Sequence, residues 1–122
     1  MVPQKGEKMN FRKKEIYLAV VDFADKAEVK ERPIVIISSN HYNKNHPNVI
    51  VCSMTTNSAH DCFVALGKEF LEDGEFYPGS GIRFDCIQRM SKERLKFKVG
   101  KVTDVFQKKL FEKINRLIGE AK

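Results

Sequence analysis

Residues Arg32–Asn43 read RPIVIISSNHYN, and this stretch decides the fold. Its four consecutive β-branched residues, 34–37, favour a buried strand. The proline before them is tolerated because a ladder N–H is not yet needed at the first positions of a strand. The Asn-rich sequence that follows is typical of a loop. Arg32 stands at the mouth of the strand, either as a solvated strand end or as a residue placed to meet a ligand.

Further segments on both sides of this strand are rich in β-branched and aromatic residues. The predicted strands are 15–23, 32–38, 49–55, 62–66, 82–90 and 96–102. Residues 67–81, which carry four of the seven glycines, are predicted to form a long irregular loop, and 24–31 a charged connection. Five or six short strands followed by one helix predict a mainly β fold, a small curved sheet or open barrel with a C-terminal α-helix.

The C-terminal stretch changes period. Phe106, Leu110 and Ile114 recur at helical spacing. Asp104 begins a D-x-x-Q pattern that is typical of a helix N-cap, and Gly119 lies where a glycine just beyond the helix is expected. The polar, basic residues 1–13 are predicted to be a flexible tail, so the folded domain is predicted to span residues 14–122.

The composition limits the classes of function. A chain of 122 residues suits one soluble domain, and its net charge of +6 favours an anionic partner, either nucleic acid or an acidic protein segment. No segment has the pattern of a signal peptide or a membrane span. The three cysteines are an odd number without a C-x-x-C pair, which is typical of a reducing compartment, so a cytoplasmic location is predicted.

Familiar catalytic motifs are missing from the sequence. His41, His46 and His60 do not have the spacing of metal ligands, and the cysteines are scattered, so no metal or cofactor is predicted. No phosphate-binding glycine loop and no G-x-S-x-G motif is present.

Four polar residues remain near predicted strand ends: Arg32, Thr55, Arg83 and Asp85. Arg83 and Asp85 are two positions apart in a strand, so both side chains are expected on one face. From spacing alone, they are either a surface ion pair of little energetic value or part of a site.

The order of segments resembles the MazF/PemK family of toxin endoribonucleases from Glu15 almost to the C-terminus. The matching segments, in order, are VDF, RPIVIIS, HYN, MTTN, IRFDCIQ, KERL and GKVTD. The resemblance implies an SH3-like barrel, usually a homodimer, that cleaves single-stranded RNA without metal and is covered by an acidic antitoxin. Such cleavage leaves a 2′,3′-cyclic phosphate and a 5′-OH.

The resemblance also implies roles for individual residues. Arg32 and Arg83 match arginines that would hold the phosphate and the charge of the transition state, a task for which the guanidinium fork is suited. Thr55 would hydrogen-bond the substrate, and Asp85 is the candidate base. The predicted RNA-binding residues are Glu28, His41, Tyr42, Thr56, Tyr77 and Gln88.

The chain departs from the family pattern at several positions. Lys14 replaces a glycine, Ser53 a proline and Cys86 a glutamine, and the loop 24–31 lacks glycine. An alternative is therefore a catalytically weak relative that binds RNA or a protein. The gyrase-poisoning activity of a sister family fits less well, because the R-P and V-R-x-D patterns belong to the ribonuclease branch.

Overall fold

An antiparallel sheet of seven strands forms the body of the protein and curls into an open barrel. The computed structural model describes residues 10–23, 28–75 and 77–119. The strands are β1 (Glu15–Phe23), β2 (Glu28–Ile36), β3 (Asn48–Thr55), β4 (Phe63–Ala65), β5 (Leu71–Gly74), β6 (Gly81–Ser91) and β7 (Leu95–Val102). The helices are α1 (Asn40–Asn45) and α2 (Asp104–Gly119). The order in the sheet is β4-β6-β3-β2-β1-β7-β5, which confirms the predicted mainly β fold.

Two cores lie on the two faces of the sheet. Alternate residues of β2 divide between them: Val35 contributes to the cluster that includes α2, here called the helix-side core, whereas Ile34 and Ile36 contribute to the opposite core. All three side chains are fully buried. The uninterrupted apolar run of β2 is therefore explained by burial on both faces.

Helix α2 packs Phe106 and Leu110 into the helix-side core. Its N-cap is Thr103 rather than the predicted Asp104, because Thr103 Oγ1 accepts a hydrogen bond from the N–H of Phe106 at 3.2 Å. Asp104 is the first helical residue, and Gly119 is the last helical residue rather than the one beyond the helix. No helix in the described part of the chain is long and apolar enough to cross a membrane.

The seventh strand, β5, lies in the segment that was predicted to be irregular. It pairs with β7, and Gly74 faces Gly100 in the register. A Cβ on Gly74 would lie 2.4 Å from the carbonyl oxygen of Val99, and Gly74 has φ +104. The glycine that indicated a loop thus permits close approach of two strand backbones. Strand β2 is also longer than predicted, since it begins at Glu28, inside the predicted connection.

The polar stretch after β2 was predicted to be a loop but contains helix α1. Ser39 caps this helix by accepting a hydrogen bond from the N–H of Tyr42 at 3.1 Å. Asn43 is buried, where its amide donates to the carbonyl of Ser38 at 3.1 Å and accepts from the Ser38 hydroxyl. The same hydroxyl oxygen accepts from the N–H of Ile50 at 2.9 Å. This buried network fixes α1 against the start of β3.

The entry to β1 connects the two ends of the described chain. Lys14 donates its N–H to the carbonyl of Ile36 and accepts from the N–H of Val102, both at 2.9 Å. Its ammonium group binds the carboxylate of Asp104, although its own φ is +80. Residues 1–9 of the predicted tail lie outside the described residues. Phe11, also assigned to the tail, is buried with its ring centroid 5.1 Å from that of Tyr17.

The helix-side core supplies a stability prediction with a neighbouring control. Phe106→Ala should lower the free energy of unfolding by about 3–5 kcal/mol, because Phe106 is fully buried and the substitution leaves a cavity. Val105→Ala, on an exposed side chain of the same helical turn, should change it by less than about 0.5 kcal/mol. Urea denaturation measures both, and equal losses would contradict the described packing of α2.

Candidate functional site

The register between β2 and β3 brings two of the predicted residues together. Ile34 lies opposite Ser53. Extending this register by two residues places Arg32 opposite Thr55, at the end of β3. Ile34 points into the opposite core, so alternation turns Arg32 and Thr55 toward that same face of the sheet. At this end of the strands the opposite core has ended, and the side chains on this face are polar.

A β-bulge of several residues in β6 brings the other two residues to the same face. Ile82 pairs with Met54 and Ile87 with Cys52, so five steps along β6 match only two along β3. Both isoleucines contact the helix-side core. The residues next to them inside the bulge therefore turn to the other face, where β-bulges often aim side chains at active sites.

The bulge contains residues 83–86. Phe84 is buried in the helix-side core, so Arg83, Asp85 and Cys86 all face the site. Three neighbouring strands, β2, β3 and β6, thus bring the predicted catalytic residues together. We define the candidate site as Arg32, Thr55, Arg83 and Asp85.

Arg83 and Asp85 form a bidentate ion pair. Arg83 Nε lies 2.8 Å from Asp85 Oδ1, and Arg83 Nη2 lies 2.9 Å from Asp85 Oδ2. These hydrogen bonds hold the pKa of Asp85 below its ordinary value and raise the pKa of Arg83. Asp85 is consequently a carboxylate at neutral pH, and the N–H groups on Nη1 of Arg83 are not used in this pair.

Thr55 is oriented by the turn that follows β3. Its Oγ1 accepts a hydrogen bond from the N–H of Asn57 at 3.1 Å, and the side chain of Asn57 accepts from the N–H of Ala59 at 3.3 Å. Because Oγ1 accepts the bond from the backbone, the hydroxyl proton of Thr55 remains able to donate to a ligand.

Two departures from the family pattern are neighbours in space. The thiol of Cys86 donates to Ser53 Oγ at 3.2 Å, which joins the bulge of β6 to β3 beside the candidate site. The residues at these two positions are small, weakly polar side chains that contact each other.

His60 is a residue near the site that sequence reasoning missed. It lies in the loop between β3 and β4, where a positive charge on its ring lowers the pKa of the Asp85 carboxyl. His60 Nδ1 accepts a hydrogen bond from the N–H of Cys62 at 3.0 Å, so the neutral ring carries its proton on Nε2. The sequence had no signal for this placement, because it depends on the path of a loop.

Three of the predicted RNA-binding residues lie on the strands of the site, directly after them, or at the same end of the sheet. Thr56 is exposed just after β3, and Gln88 is exposed on β6 opposite Val51. Tyr77 is 62% exposed in the loop that leads into β6, where its hydroxyl donates to Glu75 at 2.8 Å. This loop and Thr55 lie at the same end of the sheet, because Thr55 pairs with Gly81.

Within one chain, the structure places His41 and Tyr42 away from the site. His41 and Tyr42 lie in α1, beside the start of β3. The seven residue steps from Asn48 to Thr55 separate that end from the site by about 23 Å at 3.3 Å per residue. Tyr42 stacks on His46 with ring centroids 4.0 Å apart. Glu28 begins β2, but its side chain lies outside the described residues.

Several solved structures are similar to this chain over almost its whole length. The chain superposes on an endoribonuclease from a mycobacterial species with a TM-score of 0.73 and 20% identity, covering 95% of this chain and 98% of that one. An endoribonuclease in complex with its cognate antitoxin, also mycobacterial, gives a TM-score of 0.71 and 19% identity. The match covers 93% of this chain and 97% of that one. A MazE–MazF structure from Deinococcus radiodurans gives a TM-score of 0.66 and 15% identity. The match covers 93% of this chain and 100% of that one. At these identities the likeness establishes the fold, that of the MazF-type barrel.

The sequence profile of one family gives the closer assignment. Residues 12–119 match the profile described as PemK-like, MazF-like toxin of type II toxin–antitoxin system. Because the match covers most of the chain, the protein belongs to this family. This confirms the resemblance that was inferred from the order of the sequence segments. Among curated protein sequences, none matches the chain significantly.

The ion pair in the bulge predicts a measurable pKa change. Arg83→Gln should raise the pKa of Asp85 toward the ordinary value of about 3.9, because the two hydrogen bonds that stabilise the carboxylate are lost. Carbon-detected NMR titration of the carboxyl group measures it. As the folded-state pKa is depressed, the pair stabilises the fold fully above the unfolded pKa, and this contribution disappears as pH falls through the folded pKa.

Lys96→Gln is the control for that titration. Lys96 pairs with Glu31 at 3.3 Å, on β7 and β2, so the variant removes one positive charge without touching the bulge. It should leave the pKa of Asp85 in place. A similar rise in both variants would show that overall charge, rather than the bidentate contact, sets this pKa.

Proposed function

We propose that this protein is a toxin that cleaves single-stranded RNA without a metal ion, leaving 2′,3′-cyclic phosphate and 5′-OH ends. The observation that carries the proposal is the convergence of two arginines, a threonine and an aspartate from three strands onto one face, at a bulge, in a chain of this family. The solved relatives named as endoribonucleases share the fold and support the same activity.

The proposed reaction requires stabilisation of charge on the phosphate. Attack of the 2′-OH on the adjacent phosphodiester builds negative charge on the phosphorane oxygens. Arg32 and Arg83 would bind these oxygens, with Arg83 using Nη1, and the hydroxyl of Thr55 would donate a further hydrogen bond. A guanidinium keeps its charge throughout the reaction, so it stabilises the oxygens and does not act as the proton donor.

Asp85 is the proposed acceptor of the 2′-OH proton, and a water molecule would protonate the departing 5′-oxygen as its bond to phosphorus breaks. The lowered pKa of Asp85 makes it a weak base in the unliganded protein, because Arg83 holds both of its oxygens. A phosphate that draws the guanidinium toward itself would loosen this pair, and the proton affinity of the carboxylate would rise as the substrate binds. The ion pair therefore couples substrate binding to base strength.

RNA binding would rest on backbone charge and base stacking. Tyr77 is exposed at the correct end of the sheet for stacking, and Thr56 and Gln88 lie on either side of the catalytic residues. Contacts from His41 and Tyr42 remain a prediction. They require either RNA that follows β3 for about 23 Å or the second chain of a homodimer.

We further propose that the protein acts in the cytoplasm as a homodimer and is neutralised by an acidic antitoxin. One structural relative was solved with its cognate antitoxin. The net charge of +6 here suits an acidic segment that orders on binding and covers the site.

RNA cleavage in EDTA tests the proposed activity. Purified protein should cut a long single-stranded RNA at discrete positions with cyclic-phosphate ends. Arg32→Ala and Arg83→Ala should each lower kcat/KM by about 10²–10³-fold, the cost of removing a group that stabilises transition-state charge. For Arg32→Ala, the slope of log affinity against log salt should also decrease by about 0.7–1, as expected for one lost phosphate contact.

Arg116→Ala is the matched control. Arg116 is exposed in the last turn of α2, on the face of the sheet away from the site, so it should change neither rate nor salt slope appreciably. Intact RNA with retained binding would favour the second candidate, a binding module. That outcome would mean that the Arg83–Asp85 pair does not open for the substrate.

The toxin role has a separate test in cells. Expression of the chain should arrest growth, and co-expression of the small gene adjacent to it should restore growth. Arrest by Arg83→Ala at the same protein level as the wild type would show that toxicity does not depend on the proposed cleavage.

A further inference from the structure

The loop between β3 and β4 carries three metal-binding side chains in succession. A ligand atom from each of His60, Asp61 and Cys62 lies within 4.8 Å of the other two. Imidazole nitrogen, carboxylate oxygen and thiolate sulfur are all zinc ligands. The sequence spacing is not that of a known zinc motif, and the loop conformation is what gathers the three groups.

The separations suit a tetrahedral ion. His60 Nδ1 and Asp61 Oδ1 are 3.5 Å apart. Zinc bonds of about 2.0–2.2 Å to nitrogen and oxygen give a tetrahedral edge of about 3.3–3.5 Å. An ion that bound His60 Nδ1 would displace the hydrogen bond from the N–H of Cys62. A neutral hydrogen bond would be lost and a stronger bond between nitrogen and metal gained.

The local charge also favours a cation. The carboxylates of Asp85 and Asp61 both place negative potential on the thiol of Cys62, opposed by Arg83. The side chain of Asp61 is 95% exposed, so solvent ions reach the loop freely. A donor set with one sulfur and one nitrogen selects zinc over magnesium or calcium, which prefer six or more oxygen ligands.

We propose that His60, Asp61 and Cys62 bind one zinc ion, with the fourth position open to water, and that the bound ion inhibits the enzyme. The inhibition rests on the proposed function, whereas the binding does not. The loop lies directly beside the candidate site, because the N–H of Phe84 donates to the carbonyl of Cys62 at 3.0 Å and Phe63 pairs with Arg83. A divalent charge in this loop would therefore act on Asp85. It would stabilise the carboxylate and so weaken Asp85 as an acceptor of the 2′-OH proton.

Zinc binding is measured first, without any RNA. Titration calorimetry with Zn²⁺ should give one site per chain, and Co²⁺ should produce a thiolate-to-cobalt charge-transfer band. Cys62→Ser should abolish the band and weaken zinc binding by at least about 10-fold, because losing a direct ligand should cost no less than losing a residue that only orients a ligand. Cys86→Ser, which removes the thiol on β6 outside the loop, should keep the band.

A second variant guards against misfolding. Asp61→Asn alters an exposed side chain, so it should leave the thermal unfolding temperature unchanged and still weaken zinc binding. The proposal is overturned if the wild type shows neither heat nor band, or if Cys62→Ser binds zinc as tightly as the wild type.

Inhibition is measured next, by RNA cleavage with and without zinc. The wild type should lose activity as the site fills, whereas Cys62→Ser should keep its metal-free rate at the same zinc concentration. Equal inhibition of both would overturn the regulatory part of the proposal. If neither protein cleaves RNA even in EDTA, the proposed nuclease activity fails, and the calorimetry and cobalt spectrum still decide whether zinc binds.

Discussion

The register break between β3 and β6 is the constraint on which the candidate site depends. Strand β6 must pair with β3 at Ile82 and again at Ile87, and both side chains contribute to the helix-side core. The hydrophobic free energy of burying these residues fixes both ends of the bulge. The segment between them has no partner on β3, although Arg83 still pairs with Phe63 on β4. A single break in alternation turns both Asp85 and Cys86 toward the site. The candidate catalytic side chains in this segment are positioned by the helix-side core, although they themselves lie outside it.

The ion pair within the bulge then has two opposing effects. In the unliganded protein it satisfies two charged groups at once and positions Arg83. The same contact lowers the proton affinity of Asp85, which reduces its strength as a base. Under the proposed mechanism, the site stays inactive until an anion competes with Asp85 for the guanidinium of Arg83. Such behaviour suits a protein whose activity must be limited, although exposed pairs contribute little to stability themselves.

Most of the fold could be predicted from the sequence because its strongest signals are local. The β-branched run around Ile34 and the helical spacing of Phe106 and Leu110 reflect burial, and burial follows from side-chain chemistry. The candidate site was predicted from the order of segments, and the strand register brings its four residues to one face. What was missed depends on tertiary contacts. Strand β5 pairs with β7 at a point where two glycines allow the backbones to approach closely.

The other misses have the same cause. Helix α1 forms in a sequence that reads as a loop, because Asn43 bonds to Ser38, whose hydroxyl oxygen is in turn held by the N–H of Ile50 on β3. Likewise, His60 approaches Asp85 through the path of a loop whose residues carry no periodic signal. Side-chain hydrogen bonds to the backbone compete with local propensity, and the folded context decides between them.

Lys14 shows how the two termini of the domain are joined. A left-handed backbone angle at a residue with a side chain costs about 1–2 kcal/mol, which is why glycine is the usual occupant of such a position. Lysine here gains a contact with Asp104 at the start of α2 that glycine could not make. The seam between the first strand and the last helix is thus closed by two kinds of bond. The backbone bonds are indifferent to ionic strength, whereas the ion pair is screened by it. In concentrated salt the backbone hydrogen bonds keep the geometry of this junction, whereas the attraction between Lys14 and Asp104 is largely screened.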